Sequence, residues 1–259
     1  ITGGTRAPGL AAEYDVESIA DFETMLGRDD IDAVVIATPH QVHADQVIAA
    51  AEHGKHILLE KPMAPSVPDC DAMIDACKKA NVTLAMIKSL RYWTVMAKTK
   101  QLIDQGRIGE VRMIHETSLA FDNEPSKPWV MEAESGGALL DRGCHIFDML
   151  RWLTGDEAVR VFGKVNSYEV EDYQTMNAQV QIEFSRGALA QVWMGHEVPE
   201  PIFPNTSYLW RIWGERGLIE ADSPSRLLLS ADGKWEQVHE EPARAPDDTF
   251  VEWRMERHY

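Results

Sequence analysis

Residues 32–87 alternate strand and helix patterns, and that order constrains the fold more than any other feature of the chain. Residues 32–38 are a near-continuous apolar run ended by Pro39, and residues 56–60 and 82–87 are two more. Such runs are typical of parallel strands buried on both faces. Between them, residues 42–53 carry helical periodicity and stop at Gly54, and residues 67–80 form a second helix pattern. Pro62 and Pro65 break the chain ahead of that helix. Strand, helix, strand, helix, strand with short turns means βαβ units and a parallel sheet. Ahead of them, residues 16–26 read as a short amphipathic helix.

The pattern changes after about residue 91. A helix over 94–105 closes at Gly106, a long strand covers 111–121, and a helical segment covers 136–155. Strand patterns then follow one another at 159–170, 175–184, 188–197, 208–214, 218–221 and 226–229. Ser185-Arg186-Gly187 and Ala231-Asp232-Gly233 are turns between them, the second carrying an Asp-Gly hairpin signal. Strands in direct succession imply an antiparallel sheet. The expected fold class is therefore α/β plus α+β. An incomplete parallel-sheet domain spans 1–90, and an open, mainly antiparallel sheet with helices on one face spans 91–259.

Six of the eight tryptophans lie in or after the 136–155 helix, with Trp193, Trp210 and Trp213 on strands. A broad aromatic sheet face is covered either by helices or by a second copy of the chain. The expectation is a homodimer or homotetramer formed through this sheet. Trp193 and His196 face either a substrate or that partner.

The net charge of −17 repels nucleic acid and anionic membrane surfaces. Neutral sugars or polyols need no basic pocket to bind against that field. No stretch approaches the roughly 18 apolar residues of a membrane span. Cys70, Cys77 and Cys144 are too few for a disulfide framework and show no metal-ligand spacing, so no metal is expected. A reducing, cytoplasmic location follows as an expectation.

At 100° per residue, Asp141, His145 and Asp148 share one face of the 136–155 helix. Gly136 and Gly137 precede them and permit a close backbone approach. Lys61 follows a buried parallel strand, at the sheet edge where open α/β folds bind ligands. A lysine there can hydrogen-bond a substrate hydroxyl and take its proton; histidine titrates near neutrality, as acid–base work requires. The competing readings are a surface lysine for Lys61 and a satisfied core histidine for His145. Glu60 and Pro62 beside Lys61, and Asp141 one turn before His145, favour a site. Asp148 either orients the histidine or serves packing. Thr38 and Pro39 either line a cofactor cleft or only end a strand, and His43 either joins them or is an ordinary helix-start histidine. Arg91-Tyr92 either contacts substrate or locks the domain crossing.

Two motif blocks then resemble a known family. They are Ala37-Thr38-Pro39-His40-Gln41-Val42-His43 with Gly54-Lys55-His56-Ile57-Leu58-Leu59-Glu60-Lys61-Pro62, and Gly136-Gly137-Ala138-Leu139-Leu140-Asp141-Arg142-Gly143-Cys144-His145-Ile146-Phe147-Asp148. With Arg91-Tyr92 and Ile108-Gly109-Glu110-Val111 between them in order, the chain resembles the glucose–fructose oxidoreductase/inositol dehydrogenase/MocA family over nearly its whole length. The resemblance implies a Rossmann-type domain followed by a substrate domain, with NAD or NADP as cofactor. It implies Lys61, His145 and Asp141 as catalytic residues, with His145 as general acid/base and Asp141 orienting substrate hydroxyls. Cofactor contacts fall to Thr38, Pro39, His43, Glu60 and Lys61, and substrate contacts to Lys61, Arg91, Asp141 and His145.

The glycine-rich G-x-G-x-x-G phosphate loop is nowhere in this sequence. Thr2-Gly3-Gly4-Thr5-Arg6 lacks its spacing and is expected near the adenosine ribose, where an arginine suits a 2′-phosphate. The expectation is that one βαβ unit of about 35 residues precedes this segment in the parent protein, and that residues 249–259 begin a helix that is cut short. The expected activity is hydride transfer between a secondary alcohol of a sugar, cyclitol or polyol and nicotinamide. Rival readings are a redox-neutral NAD-dependent glycoside-cleaving enzyme and a non-catalytic sugar- or dinucleotide-sensing protein of the same fold.

Overall fold

In a computed structural model, the described residues are 2, 7–119, 136–168, 177–195, 197, 208–223 and 225–241, with the Ala138 side chain excepted. The chain divides into two compact units, Ile1–Ile87 and Lys88–Tyr259.

The first unit contains α1 (Ala7–Glu13), α2 (Phe22–Leu26), β1 (Ala33–Ile36), α3 (His43–Glu52), β2 (His56–Leu59), α4 (Val67–Ala80) and β3 (Leu84–Met86). The three strands lie in order β1-β2-β3 and all pair in parallel, with Val34 opposite Ile57 and Leu58 opposite Ala85. Helix α4 begins where the Ser66 side chain accepts a hydrogen bond from the Asp69 amide at 3.2 Å. It ends at Asn81, which adopts the left-handed conformation. Val34, Ile36, Ile57 and Leu59 pack with Val47 and Met73 of α3 and α4 into one core.

Two expectations need correction here. The strands are buried on one face, not two: Val35 is 66% exposed and Leu58 39%, alternating with buried neighbours. Residues 16–26 do not form one helix. The Asp21 side chain accepts from the Thr24 amide at 2.8 Å and starts α2 at Phe22. Ile19 instead pairs in parallel with Thr2. A helix that sequence periodicity missed, α1, carries Pro8 in its first turn, where a missing amide hydrogen costs nothing.

The second unit contains α5 (Thr94–Asp104), β4 (Val111–Leu119), α6 (Gly137–Thr154), β5 (Ala158–Asn166), β6 (Asn177–Phe184), β7 (Leu189–Gly195), β8 (Tyr208–Gly214), β9 (Gly217–Ser223), β10 (Arg226–Ala231) and β11 (Lys234–Glu240). Its eight strands lie in order β11-β10-β9-β8-β4-β7-β6-β5. Every neighbouring pair is antiparallel except β4 with β7. The sheet is therefore mixed, though mainly antiparallel. Ile114, Val192, Trp210 and Ile212 face inward and form a core with Ile146, Met149 and Leu150 of α6. Strand β11, which was not expected, completes the hairpin that Asp232-Gly233 signals; both of its turn residues have positive φ. His196, residues 3–6, 120–121, 169–170 and 175, and the helix expected over 249–259 lie outside the described residues. No described helix is long and apolar enough to cross a membrane.

Candidate functional site

In the first unit, chemistry gathers where β1 and β2 end. Ile36 lies opposite Leu59, and the Glu60 amide donates to the Ile36 carbonyl at 2.9 Å, so the two strands leave the sheet side by side. That brings the turn of Thr38 and Pro39 next to Glu60 and Lys61, at the carboxyl edge of a parallel sheet. Thr38 and Pro39 are exposed and Lys61 half-buried. Glu60 turns back on the chain, its carboxylate accepting from the Lys61 amide at 2.8 Å. The Thr38 hydroxyl donates to the Gln46 side-chain oxygen at 2.6 Å.

His43 is placed differently from the rest of this set. Its side chain is fully buried. Its Nε2 lies 2.9 Å from the Thr38 carbonyl, and its Nδ1 lies 3.1 and 3.2 Å from the carbonyls of Pro62 and Met63. The ring thus joins the turn after β1 to the turn after Lys61, beneath the surface that Thr38 and Pro39 present.

In the second unit, helix α6 carries two stripes. Ile146, Met149, Leu150 and Leu153 are buried against the sheet. Asp141, His145 and Asp148 occupy the adjoining face, each half-buried, as the helical period requires. Gly136 and Gly137 both have positive φ, at 67° and 63°. That conformation favours glycine at both, and at Gly136 a Cβ would also meet the Leu140 side chain at 2.9 Å. Asp148 accepts two hydrogen bonds from Arg91, at 2.8 Å from Nε and 2.7 Å from Nη2, and Arg91 lies 5.6 Å from the Trp152 ring centroid. This geometry ties Arg91 to α6 within the second unit.

Sequence reasoning missed a polar group under the same helix. Glu116 on β4 is fully buried, with both carboxylate oxygens lacking a hydrogen-bond partner. Burial raises its carboxyl well above the ordinary value, with the Arg142 charge pulling the other way. Arg142 donates to the Ser118 hydroxyl at 3.0 Å and lies 5.6 Å from the Tyr208 ring centroid. Alternation was the available signal: Ile114, Glu116 and Ser118 fall on one face of β4. Among the described residues, no group of three or more His, Cys, Asp or Glu side chains could hold a metal ion.

The arrangement has known counterparts. Residues 2–88 match the family model of an oxidoreductase family with an NAD-binding Rossmann fold, and residues 96–220 match a GFO/IDH/MocA C-terminal domain. The 2,7-anhydro-N-acetylneuraminate hydratase of Mediterraneibacter gnavus is 29% identical over 93% of this chain and 66% of its own. The scyllo-inositol 2-dehydrogenase (NAD(+)) of Bacillus subtilis is 33% identical over 72% of this chain and 55% of its own. The chain thus spans less than two thirds of the length of these relatives. A levoglucosan dehydrogenase solved with NADH and levoglucosan superposes with a TM-score of 0.80 at 26% identity, covering 92% of this chain and 69% of that one. With both halves matched in order, the chain belongs to the Gfo/Idh/MocA oxidoreductase family.

Proposed function

We propose that the protein is an NAD(P)-dependent oxidoreductase that transfers hydride between a secondary alcohol of a sugar, cyclitol or polyol and nicotinamide. The observation that carries this reading is Lys61 leaving β2 at the carboxyl edge of a parallel sheet, beside exposed Thr38 and Pro39. These residues fit a dinucleotide, which Thr38, Pro39, Glu60 and Lys61 would hold. When bound, it supplies the hydride acceptor. The protein's own task is the proton. As hydride leaves the alcohol carbon, the hydroxyl proton passes to Lys61 or His145. Asp141, one turn before His145 on α6, accepts a hydrogen bond from a neighbouring substrate hydroxyl. The relatives named for scyllo-inositol and levoglucosan support a polyhydroxylated substrate.

The test is NADH formation measured on a panel of sugars and polyols including scyllo-inositol and levoglucosan. Net NADH with an oxidised product supports the reading. A second reading, a redox-neutral reaction on a sugar, is favoured by the relative named as a hydratase. Aryl-glycoside cleavage or hydration without net NADH would replace the first reading with this one.

We also propose that the open face of the second-unit sheet pairs with a second copy of the chain. Met113, Phe162, Leu189 and Trp193 are large, apolar and exposed there. Met113, Phe162 and Leu189 border a hollow of about 570 Å³. Ion pairs Arg160–Glu183 and Arg211–Glu220 flank them, giving both signs of charge that a self-complementary face needs. Eight strands are about 38 Å across, ample for the roughly 800 Å² per partner of a stable interface.

A further inference from the structure

We infer that His43 is a positioning residue that holds the Lys61 turn against the end of β1; the inference rests on the reading of Lys61 as a proton-handling residue. A lysine has a long, flexible stem, so its ammonium is placed well only if its backbone is. The backbone of the turn that carries Lys61 has few amide donors of its own. Pro62 and Pro65 have no amide hydrogen, and the Lys61 amide is used locally by the Glu60 carboxylate.

His43 reaches that turn through its carbonyls instead. Its ring is fully buried at the first position of α3. One nitrogen faces the Thr38 carbonyl at 2.9 Å, and the other faces the Pro62 and Met63 carbonyls at 3.1 and 3.2 Å. A carbonyl oxygen only accepts, so a neutral ring donates its single N–H to one side or the other, according to its tautomer. Because the imidazole is rigid, the separation of its two nitrogens fixes the gap between the two turns. Thr38 and Lys61 belong to those turns, so one side chain sets the spacing of the cofactor-side and substrate-side groups. His40 supports the ring from one side in an edge arrangement, with centroids 6.5 Å apart. A buried Pro62 carbonyl left without its donor would cost stability as well as order, and displacement of a reacting group by about 1 Å can cost on the order of 10²-fold in rate.

The test has two arms, both on the full protein. His43→Phe fills the ring volume and removes the ring's polar contacts to all three carbonyls. By hydrogen exchange, the peptide covering residues 60–64 should exchange about tenfold faster or more in this variant, with β2 and α4 unchanged. Exchange at 60–64 equal to that of the native protein would overturn the inference. The second arm is a double-mutant cycle on NADH formation, using the most active substrate of the panel. His43→Phe should lower kcat by about 10²-fold with the KM for dinucleotide within about threefold, and should add nothing in a Lys61→Ala background. An equal loss in that background would mean His43 acts independently of Lys61 and would also overturn the inference. If Lys61→Ala leaves turnover intact, the reading of Lys61 fails, while the exchange arm still decides whether His43 holds the turn.

Discussion

Arg91 grips Asp148 through two hydrogen bonds, fastening the 3-10 turn of Ser89–Tyr92 to the middle of α6. The aspartate is the more buried partner, 13% exposed against 38% for Arg91. Asp148→Asn keeps the shape but removes the negative charge and one of the two acceptor oxygens. Hydrogen bonds to charged groups contribute about 1.5–3 kcal/mol, so urea unfolding should show a loss of about 1–2 kcal/mol after discounting the exposed side of Arg91. A loss within measurement error would mean the pair does not hold α6.

Glu116 gives the second unit a pH signature. In the folded protein, burial holds the proton on its carboxyl, whereas the unfolded chain releases it above the ordinary value of 4.5. Stability from this group is therefore fully present below about pH 4.5 and is lost as pH rises toward the folded-state value. Glu116→Gln cannot ionise. The difference in Tm, variant minus native, should grow in the variant's favour from about pH 5 to pH 8. A difference that stays flat or shrinks over that range would refute the buried, protonated assignment.

Gly214 ends β8 against the turn before β4. A Cβ placed there would run into the Ile108 carbonyl, which already accepts from the Arg216 amide at 2.8 Å. The obstacle is backbone and cannot rotate away. Gly214→Ala should cost about 1–3 kcal/mol, read as a lowered Tm, and an unchanged Tm would show that the β8 turn shifts freely.

Pairing through the open sheet face predicts a mass of two or four chains by light scattering. Phe162 is 69% exposed at the rim of the hollow. Phe162→Glu should shift the mass toward a single chain without lowering the helix and strand content. A native protein that elutes as one chain at micromolar concentration would contradict this.

Much of the fold was legible because its signals are local. The helix over residues 67–80 was read at its observed limits since Ser66 caps it and Asn81 ends it. β8 was read at its limits because an apolar run broken only by Arg211 ends at Gly214. That only one face of the first sheet is covered was not legible, because an apolar run records residue type and not which neighbours cover it; Val35 and Leu58 are the outcome. The shared face of Asp141, His145 and Asp148 followed from helical period alone. What His43 and Arg91 do did not follow, because their partners lie 19 and 57 residues away in sequence. Glu116 was in reach, since strand alternation put it inside, but no local rule says that a buried carboxyl stays protonated.

The central claim is that Lys61 handles the hydroxyl proton of a polyol whose hydride passes to nicotinamide. The most direct measurement is NADH formation by Lys61→Ala beside the native protein, on the best substrate of the panel, with dinucleotide affinity measured in parallel. General acid–base catalysis contributes about 10²–10⁴-fold, so kcat should fall by that range at saturating dinucleotide, beyond any weakening of dinucleotide binding from the lost Lys61 contact. Turnover equal to that of the native protein on every active substrate would contradict the account.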